Sequence, residues 1–411
     1  MNDRSLPNFV GLDIGTSKVR CVIGIADQTD PTRPSIIGYG SAVNKGMRKG
    51  NVVYVDDVAE AIVEAITQAE SLSGVRIHNA TVNINGTNVV GINSRGVIAI
   101  STANREITDE DRYRVEEAAM IVKLPPNREI LQLFAKNYRL DGQNNIKDPV
   151  GMHGVRLEVD AHIVTSSIPN LRNLDDALTK AQVRVNRHTI SSLGAAEAVL
   201  TRQQREAGTA LIDIGAGTTN LLVIEDGEIQ HIAVLPIGGI NITNDLAIGL
   251  KTDLDIAEKV KINHVSLDQK TKKENVTVKV GNQIHTFKSD DIDMITEARV
   301  DELLEYVERE LHKIQRSRKL PGGVVIVGGT SKIPGLAEFA KEKLQLAARI
   351  GTLQPIGGLV EGVNDPAAFT AVGLMLLDMI LGPDSQSQSP RSTTSTKLLQ
   401  PMYRFWHSVK R

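Results

Sequence analysis

The sequence is poor in several residue types, and each shortage narrows what the protein can be. Cys21 is the only cysteine among 411 residues, so a disulfide within the chain is excluded. The sequence has no large excess of positive charge, since its formal net charge is −2, so we predict no nucleic-acid partner. With 41% hydrophobic residues, the length instead suits two or three folded domains.

Long hydrophobic runs and the commonest phosphate-binding loop are also absent from the sequence. No apolar signal segment begins the chain, so we expect a cytoplasmic protein. The strongest candidate for a membrane span, residues 367–381, is short and contains Asp378, which predicts a buried core helix. The pattern Gly-x-x-x-x-Gly-Lys-Ser/Thr does not occur, which excludes a Walker-type nucleotide site.

Two segments, 10–22 and 211–222, share a pattern of apolar strand, acid, glycine turn and second strand. The acids are Asp13 and Asp213, which lie about half the chain apart. One such hairpin is ordinary turn chemistry. Two copies at this spacing predict two related halves that face one ligand.

The residues of both turns suit a phosphate group. Glycine lets backbone N–H groups approach an anion, and hydroxyl and lysine side chains add further donors. Because Asp13 and Asp213 would repel bare phosphate, they imply a cation or ordered water between these acids and the nucleotide. The predicted phosphate contacts are Gly15, Thr16, Ser17, Lys18, Gly215, Gly217, Thr218 and Thr219.

This duplicated hairpin resembles the actin, sugar-kinase and heat-shock chaperone ATPase superfamily, whose members close two phosphate hairpins on ATP and Mg²⁺. Residues 324–335, Val-Val-Ile-Val-Gly-Gly-Thr-Ser-Lys-Ile-Pro-Gly, resemble its adenosine motif. The resemblance implies nucleotide contacts from Gly328, Gly329, Thr330 and Lys332.

The loop at 141–158 narrows the resemblance further. It contains Asp-Gly-Gln, Asp-Pro, Gly-Met, Gly and Arg-Leu-Glu in that order. This spacing resembles the inserted subdomain of the FtsA family of actin-like bacterial cell-division proteins. The family's Gly-Gly turn and ribose-contacting helix resemble residues 234–250 and 257–261, which implies nucleotide contacts from Gly238, Gly239, Glu258 and Lys261. From the residues alone, we would instead predict that Glu258 and Lys261 form a surface pair one helical turn apart.

The implied fold is α/β: an actin-like two-domain ATPase with an inserted α+β subdomain in the first half and a C-terminal amphipathic helix. The first core subdomain would span 1–90, completed by 166–195 and 366–382, with the insert at 91–165. The second core subdomain would span 196–243 and 312–365, and its outer subdomain 244–311. A linker at 383–396 and a membrane helix at 397–411 would follow.

Helical spacing and capping chemistry predict several elements of this fold. A helix at 56–73 would begin with Asp56 as its N-cap, and a helix at 108–120 with Thr108. The connecting helix before the second hairpin is predicted at 195–204. A long amphipathic helix is predicted at 290–317, with Leu303, Val307, Leu311 and Ile314 as its inner stripe.

By the same resemblance, Asp213 would orient or activate the water that attacks ATP. Two expected helpers are missing. Ser191 and Ser192 stand where relatives place Gln or Glu followed by Pro, and Asn220 stands where they place Asp or His. Because such groups position the water in phosphoryl transfer, we expect ATP binding with slow hydrolysis or none.

The family resemblance implies the partners. These are the C-terminal tail of FtsZ, further copies of the chain in filaments, and later division proteins. Within residues 297–301 of the outer subdomain, Arg299 is singled out as the contact with the FtsZ tail. The protein would work at the cytoplasmic face of the inner membrane, at the septum. The alternative is another actin-like ATPase, such as a pilus-assembly protein or a small-molecule kinase.

The composition of the last segment predicts a membrane contact independently of the family. Its apolar residues follow one stripe of an α-helix, and its other positions include basic residues and no acid. Such a stripe is typical of a helix that lies on anionic lipid. Pro401 would either start that helix or kink it. The membrane residues are Leu398, Leu399, Met402, Phe405, Trp406 and Val409, with Lys397, Arg404, Lys410 and Arg411 on the basic side.

Overall fold

The computed structural model describes residues 7–26, 34–101, 104–268, 275–281, 283–358 and 360–382. The predicted linker at 383–396 and the predicted membrane helix at 397–411 lie outside these ranges, so both stay predictions. Strands and helices alternate along much of the described chain, which confirms the predicted α/β class.

The first half of the chain builds a sheet around the first acid-containing hairpin. The hairpin strands pair in register from Asn8 with Ile25 to Ile14 with Val19. The elements are β1 (Asn8–Ile14), β2 (Lys18–Ala26), β3 (Pro34–Val43), β4 (Met47–Arg48), β5 (Asn51–Val52), α1 (Val55–Ser73) and β6 (Asn79–Ile84).

The predicted N-cap of α1 was wrong by two residues. Tyr54 is the N-cap, held in an extended conformation where its N–H donates to the Gly46 carbonyl at 3.0 Å. Asp56 instead lies in the first turn and forms an ion pair with Lys180. A carboxylate in the first turn still suits the positive end of the helix dipole.

The inserted region is a separate α+β unit with its own core. Its helix begins as predicted, because Thr108 and Asp111 form a capping box. In the distinctive loop, the Asp141 carboxylate accepts from the backbone N–H groups of Val155 and Arg156 and so closes the loop on itself. The elements are β7 (Val90–Ala99), α2 (Asp109–Ala119), β8 (Arg128–Leu140), β9 (Gln143–Ile146) and β10 (Arg156–Ser167).

The chain then returns to the first sheet and crosses to the second half. The elements are α3 (Ile168–Lys180), β11 (Arg184–Ile190), α4 (Ser191–Val199) and α5 (Arg202–Ala207). The predicted single helix at 195–204 was wrong: the chain is extended at Leu200, and Thr201 caps a second helix through a capping box with Gln204. The Thr side chain satisfies the first N–H groups of α5 and so favours a new start over continuation.

The second half repeats the hairpin and contains the region predicted to form the outer subdomain. The elements are β12 (Thr209–Ile214), β13 (Thr219–Glu225), β14 (Glu228–Leu235), α6 (Gly239–Gly249), α7 (Leu254–His264), β15 (Asn275–Val280), β16 (Gln283–Lys288), α8 (Ser289–Lys313), β17 (Val324–Val327), α9 (Leu336–Leu344), β18 (Ala348–Ile350) and α10 (Phe369–Leu381). In α8 the predicted inner stripe is buried at Leu303, Val307 and Leu311, while Ile314 is partly buried at the C-cap.

The strands form two large sheets, and the order of the strands in each sheet differs from their order in the sequence. The first is β11-β6-β1-β2-β3. The second runs β18-β17-β12-β13-β14-β7-β10-β8-β9, so the strands of the insert extend the sheet of the second half. The contact is Ala233 opposite Val90, supported by the Ile232 N–H donating to His162 Nε2 at 3.1 Å.

Helix α10 returns to the first sheet and is a buried core helix, as predicted. It packs so closely on α4 that a Cβ on Gly373 would lie 1.6 Å from the Gly194 carbonyl oxygen. Its buried Asp378 accepts from Val10 N at 3.0 Å, Thr81 Oγ1 at 2.7 Å and Asn186 Nδ2 at 2.9 Å. No helix in the described ranges is long and apolar enough to span a membrane.

Candidate nucleotide-binding site

The two hairpins face each other across a cavity of about 340 Å³. Their turns are built alike: Gly15 N donates to Lys18 O at 3.0 Å, and Gly215 N donates to Thr218 O at 2.9 Å. The turns also meet, because a Cβ on Gly217 would lie 2.9 Å from the Thr16 side chain. The cavity is therefore enclosed on two sides by glycine turns, a backbone arrangement that suits an anion.

Most of the predicted nucleotide contacts line this cavity. They come from both hairpins, from α7 and from the adenosine motif, although these lie far apart in the sequence. They are Asp13, Gly15, Thr16, Ser17, Lys18, Asp213, Gly215, Thr218, Gly239, Glu258, Lys261, Gly328, Gly329, Thr330 and Lys332.

Three residues that were predicted to contact the nucleotide do not line the cavity, but pack next to the residues that do. Thr219 is fully buried and donates its hydroxyl to the Ile237 carbonyl at 2.8 Å. Gly217 contacts the opposite hairpin, and a Cβ on Gly238 would lie 2.7 Å from the Gly215 carbonyl. Since side chains alternate along a strand, only one of the neighbouring Thr218 and Thr219 can face the cavity.

The two acids are both buried at the centre of the site. Burial raises the pKa of Asp13 to about 7, while the positive charge of Arg20 opposes the rise and Asp213 adds to it. Burial likewise raises the pKa of Asp213 to about 6, opposed mainly by its hydrogen bond from Asn220. Each carboxylate thus has a neighbouring donor but keeps a strong preference for added positive charge.

The site suits a hard divalent cation bound partly by other ligands. Asp13 accepts from Asn83 Nδ2 at 2.8 Å, and Asp213 accepts from Asn220 Nδ2 at 3.3 Å, so both carboxylates are oriented. In the described part of the chain, no group of three or more His, Cys, Asp or Glu residues forms a complete metal site. A Mg²⁺ ion would therefore need phosphate oxygens and waters, which is its usual coordination beside nucleotides.

Glu258 and Lys261, which are predicted to contact the ribose, are part of a hydrogen-bonded cluster. Lys261 Nζ contacts Glu258 Oε2 at 2.7 Å, Thr243 Oγ1 at 2.8 Å and the Gly239 carbonyl at 3.2 Å. Glu258 also accepts from the Thr243 hydroxyl. The cluster joins α7 to the start of α6, so the two charged side chains are held at the cavity rather than free on a surface.

The adenosine motif closes the other end of the cavity. The Thr330 hydroxyl donates to the Gly215 carbonyl at 3.2 Å, which ties the motif to the second hairpin. Ile262, Val265 and Ile333 add apolar surface there, which suits the flat face of a base. Sequence reasoning missed these three residues.

Several polar lining residues were also missed. Arg20 could have been found, because it is two residues after Lys18 on β2 and therefore shares its face. The others follow no local pattern: Asp365 forms an ion pair with Lys332 at 2.9 Å, and Thr370 reaches the site from the start of α10. Only the tertiary fold brings them to the cavity.

The expected catalytic helpers are missing at two positions close to the acids, namely Ser191–Ser192 and Asn220. Ser191 lines the cavity, but its hydroxyl donates to the Ile84 carbonyl at 3.3 Å and accepts from Asn83 at 3.0 Å. Ser192 is fully buried and does not line it. Asn220 lines the cavity beside Asp213.

Arg299 lies away from this cavity, on α8 of the outer subdomain. Its guanidinium forms ion pairs with Asp245 on α6 and with Glu302 one turn further along α8. The second contact to Asp245, from Nη2 to Oδ1, is 2.9 Å. The membrane residues predicted at 397–411 lie outside the described residues.

The fold places the chain in the actin-like class, as comparison with solved structures shows. The structure titled "PilM-PilN type IV pilus biogenesis complex" matches 90% of this chain and 98% of its own, with a TM-score of 0.64 at 17% identity. MreB 5 of Spiroplasma citri bound to AMPPNP matches 91% of this chain and 96% of its own, with a TM-score of 0.52 at 13% identity. These likenesses establish the fold alone.

The sequence comparisons identify the family within that class. Residues 210–373 match the family described as "Cell division protein FtsA", and residues 86–165 match the "SHS2 domain inserted in FTSA". FtsA of Bacillus subtilis is 38% identical over 379 residues, covering 91% of this chain and 84% of that protein. FtsA of Pseudomonas aeruginosa is 34% identical over 385 residues, covering 93% and 91%. The chain belongs to the FtsA family of cell-division proteins.

Two neighbouring glycines of the adenosine motif offer a matched test of the cavity. A Cβ on Gly328 would lie 2.4 Å from Asp213 Oδ1 at a φ of +88°, so Gly328→Asp would also disturb the hairpin. At Gly329 the nearest atom is 3.8 Å away. We expect Gly329→Asp to weaken ATP binding at least about a hundredfold, because it would place a charged carboxylate in the part of the cavity proposed to hold the base.

Calorimetric titration with ATP and thermal unfolding would measure the two effects separately. Gly329→Asp should unfold near the wild-type temperature, while Gly328→Asp should unfold lower. ATP affinity unchanged by Gly329→Asp would contradict the assignment of this end of the cavity.

Proposed function

We propose that this FtsA-family chain binds ATP with Mg²⁺ between its two hairpins, polymerises at the membrane and anchors the FtsZ ring there. The observation that carries the nucleotide assignment is the pair of matching glycine turns on one cavity with an acid behind each. ATP would be held by the turn amides, Lys18 and Lys261, and Mg²⁺ by Asp13 and Asp213 through water. A solved MreB 5 structure with the same fold is titled as bound to AMPPNP.

The nucleotide would act mainly by closing the cleft. Asp213 is the group best placed to orient water, but Ser191 has a short side chain whose hydroxyl is already bonded to its own neighbours. Asn220 is a neutral amide and cannot take up a proton as a carboxylate or imidazole does. Neither of these two positions therefore offers a carboxylate, an imidazole or a long side chain to assist Asp213 with the attacking water.

Turnover of ATP measures this directly. We expect the wild type to turn over more slowly than about 0.01 s⁻¹, far below the roughly 1–100 s⁻¹ of kinases. Ser191→Gln should raise the rate, because a longer amide can reach a water, and Ser191→Ala should not. Turnover at kinase rates in the wild type would refute the proposal of a nearly inactive ATPase.

The division function is proposed at the cytoplasmic face of the inner membrane, at the septum. The family membership supports a role in cell division, and later division proteins would join through the same filaments. Residues 397–411 would supply the anchor, because their sequence combines an apolar stripe with basic residues and no acid. Each single helix would bind weakly, and polymerisation would make the attachment avid.

Substitution of the only tryptophan tests the anchor. Trp406→Glu places a charge in the middle of the apolar stripe, so we expect at least a tenfold loss of binding to anionic vesicles, with ATP affinity unchanged. Ser408→Glu is the matched control, because it adds the same charge on the opposite side of a helix. Cosedimentation with vesicles measures both variants, and wild-type retention of Trp406→Glu would rule out the anchor.

For the FtsZ tail we propose the outer subdomain, with Arg299 as a contact. The Arg299 side chain is about one quarter exposed, and its guanidinium is shared between Asp245 and Glu302. It would therefore have to exchange one of these carboxylates for one of the tail. Such an exchange is feasible because a carboxylate of the tail would accept the same kind of hydrogen bond as Asp245 and Glu302 do.

A pair of variants separates the charge of Arg299 from the packing around it. We expect Arg299→Gln to weaken binding of an FtsZ tail peptide about tenfold, and Asp245→Asn to leave it equal or tighter, because that change releases the guanidinium. Fluorescence anisotropy of a labelled peptide gives both affinities. Equal affinities of wild type and Arg299→Gln would remove Arg299 from the interface.

A further inference from the structure

A second cavity of about 850 Å³ opens on the outer subdomain, next to the adenosine end of the nucleotide cavity. Val265 and Pro334 line both cavities. Its lining includes one face of α8 and residues of α9. We call it the acidic groove and define it by Asp290, Met294, Glu297, Asp301, Phe339 and Lys343.

The acidic groove combines negative charge with apolar surface. On α8, positions 290, 294, 297 and 301 are three or four residues apart and therefore share one face. Three of these four are acids, whereas the one lysine of the groove, Lys343, is 2.7 Å from Asp301 and already paired. Met294 between the acids is 65% exposed, and Phe339 lies on α9.

The chain itself contains a segment of the opposite character. Residues 397–411 carry four Lys or Arg residues and no acid, and their apolar residues follow one helical stripe. An amphipathic helix with a basic side complements an apolar groove with acidic walls in both respects.

The connection is long enough for this segment to meet its own groove. Residues 383–396 can extend to roughly 50 Å, at about 3.5 Å per residue. A compact chain of this length has a radius of gyration of only about 22 Å. The reach therefore covers most of the surface of the same molecule.

We propose that the acidic groove is the docking site of residues 397–411 of the same chain, and that docking withholds this segment from lipid. The role of the segment at the membrane rests on the proposed function. The docking itself does not, because it depends only on the groove and on the sequence of the segment.

Trp406 is the only tryptophan, so the emission of the full-length protein reports where this segment lies. Without lipid, we expect wild-type Trp406 to emit at a short wavelength and to resist quenching by acrylamide. Asp290→Lys/Glu297→Lys reverses two charges of the groove and should shift the emission to the red and expose Trp406. The matched control is Glu60→Lys/Glu64→Lys, which makes the same charge change on the exposed face of α1 and should behave as wild type.

Reversing the charges of both the tail and the groove distinguishes a loss of docking from misfolding of a variant. Lys410→Glu/Arg411→Glu changes only the tail and should also expose Trp406. Combined with Asp290→Lys/Glu297→Lys, it should restore protection, because the two reversed surfaces again attract each other. Dilution should not alter the wild-type signal if the segment docks on its own chain.

Three results would overturn the proposal. The first is a wild-type Trp406 quenched as readily as in Asp290→Lys/Glu297→Lys. The second is protection that persists in that variant, which would place the segment at another surface or leave the groove to a different partner. The third is protection lost on dilution, which would assign the docked segment to a second copy.

Vesicles of phosphatidylglycerol and phosphatidylcholine then test the consequence. If nine-tenths of the segments are docked, their release should tighten vesicle binding by Asp290→Lys/Glu297→Lys about tenfold over the Glu60→Lys/Glu64→Lys control. Equal binding by these two variants would overturn the withholding of the segment. Absence of vesicle binding by every variant, with Trp406 still protected in the wild type, would refute the membrane anchor and leave the docking supported.

Discussion

The structure depends on holding two buried carboxylates, Asp13 and Asp213, at the ends of two hairpin strands that face each other. Burial raises the pKa of both, to about 7 and about 6, so their ionised forms are unfavourable in the folded protein. A raised folded-state pKa means that the native state binds more protons than the unfolded chain between about pH 4 and pH 7. Folding stability therefore falls as the pH rises through that window, and cations near the acids offset the loss.

The surrounding elements can be understood as the support for this pair. Arg20 supplies one positive charge from β2, with Nη1 at 3.9 Å from Asp13 Oδ2. Asn83 on β6 orients Asp13 and also accepts from Ile14 N at 2.7 Å, so the first hairpin is fixed to the neighbouring parallel strand. In the second half, β17 pairs in parallel with β12 and places Gly328 directly behind Asp213. A ligand that brings a divalent cation fits a site prepared in this way.

The parts of the fold and of the site that could be predicted from the sequence are those fixed by interactions between residues close together in the chain. The two hairpins, their glycine turns and the N-cap at Thr108 follow from residues a few positions apart, and they are confirmed. The orientation of Thr219 depends on strand register, and Asp365 and Thr370 depend on where remote elements pack, so local patterns could not assign them. The N-cap at Tyr54 and the helix end at Leu200 were predicted wrongly for a related reason. A backbone hydrogen bond fixes the start of α1, and the competing N-cap at Thr201 ends α4.

The insert illustrates the limit of reading domains along the chain. It leaves the first half after β6 and returns at α3, yet its strands extend the sheet of the second half. The seam requires a neutral His162, whose Nε2 accepts from Ile232 N while Nδ1 bonds to Asn93 Oδ1 at 2.8 Å. Burial lowers the pKa of His162 well below its usual range, so this neutral form is the stable one at physiological pH. The sheet thus fixes the insert to the second half. Phe134 on β8 and Val164 on β10 also lie in the hydrophobic core that contains the first sheet, so the insert packs against both halves. It therefore belongs to the second half by its backbone hydrogen bonds and to the first half by its core packing and its chain connections.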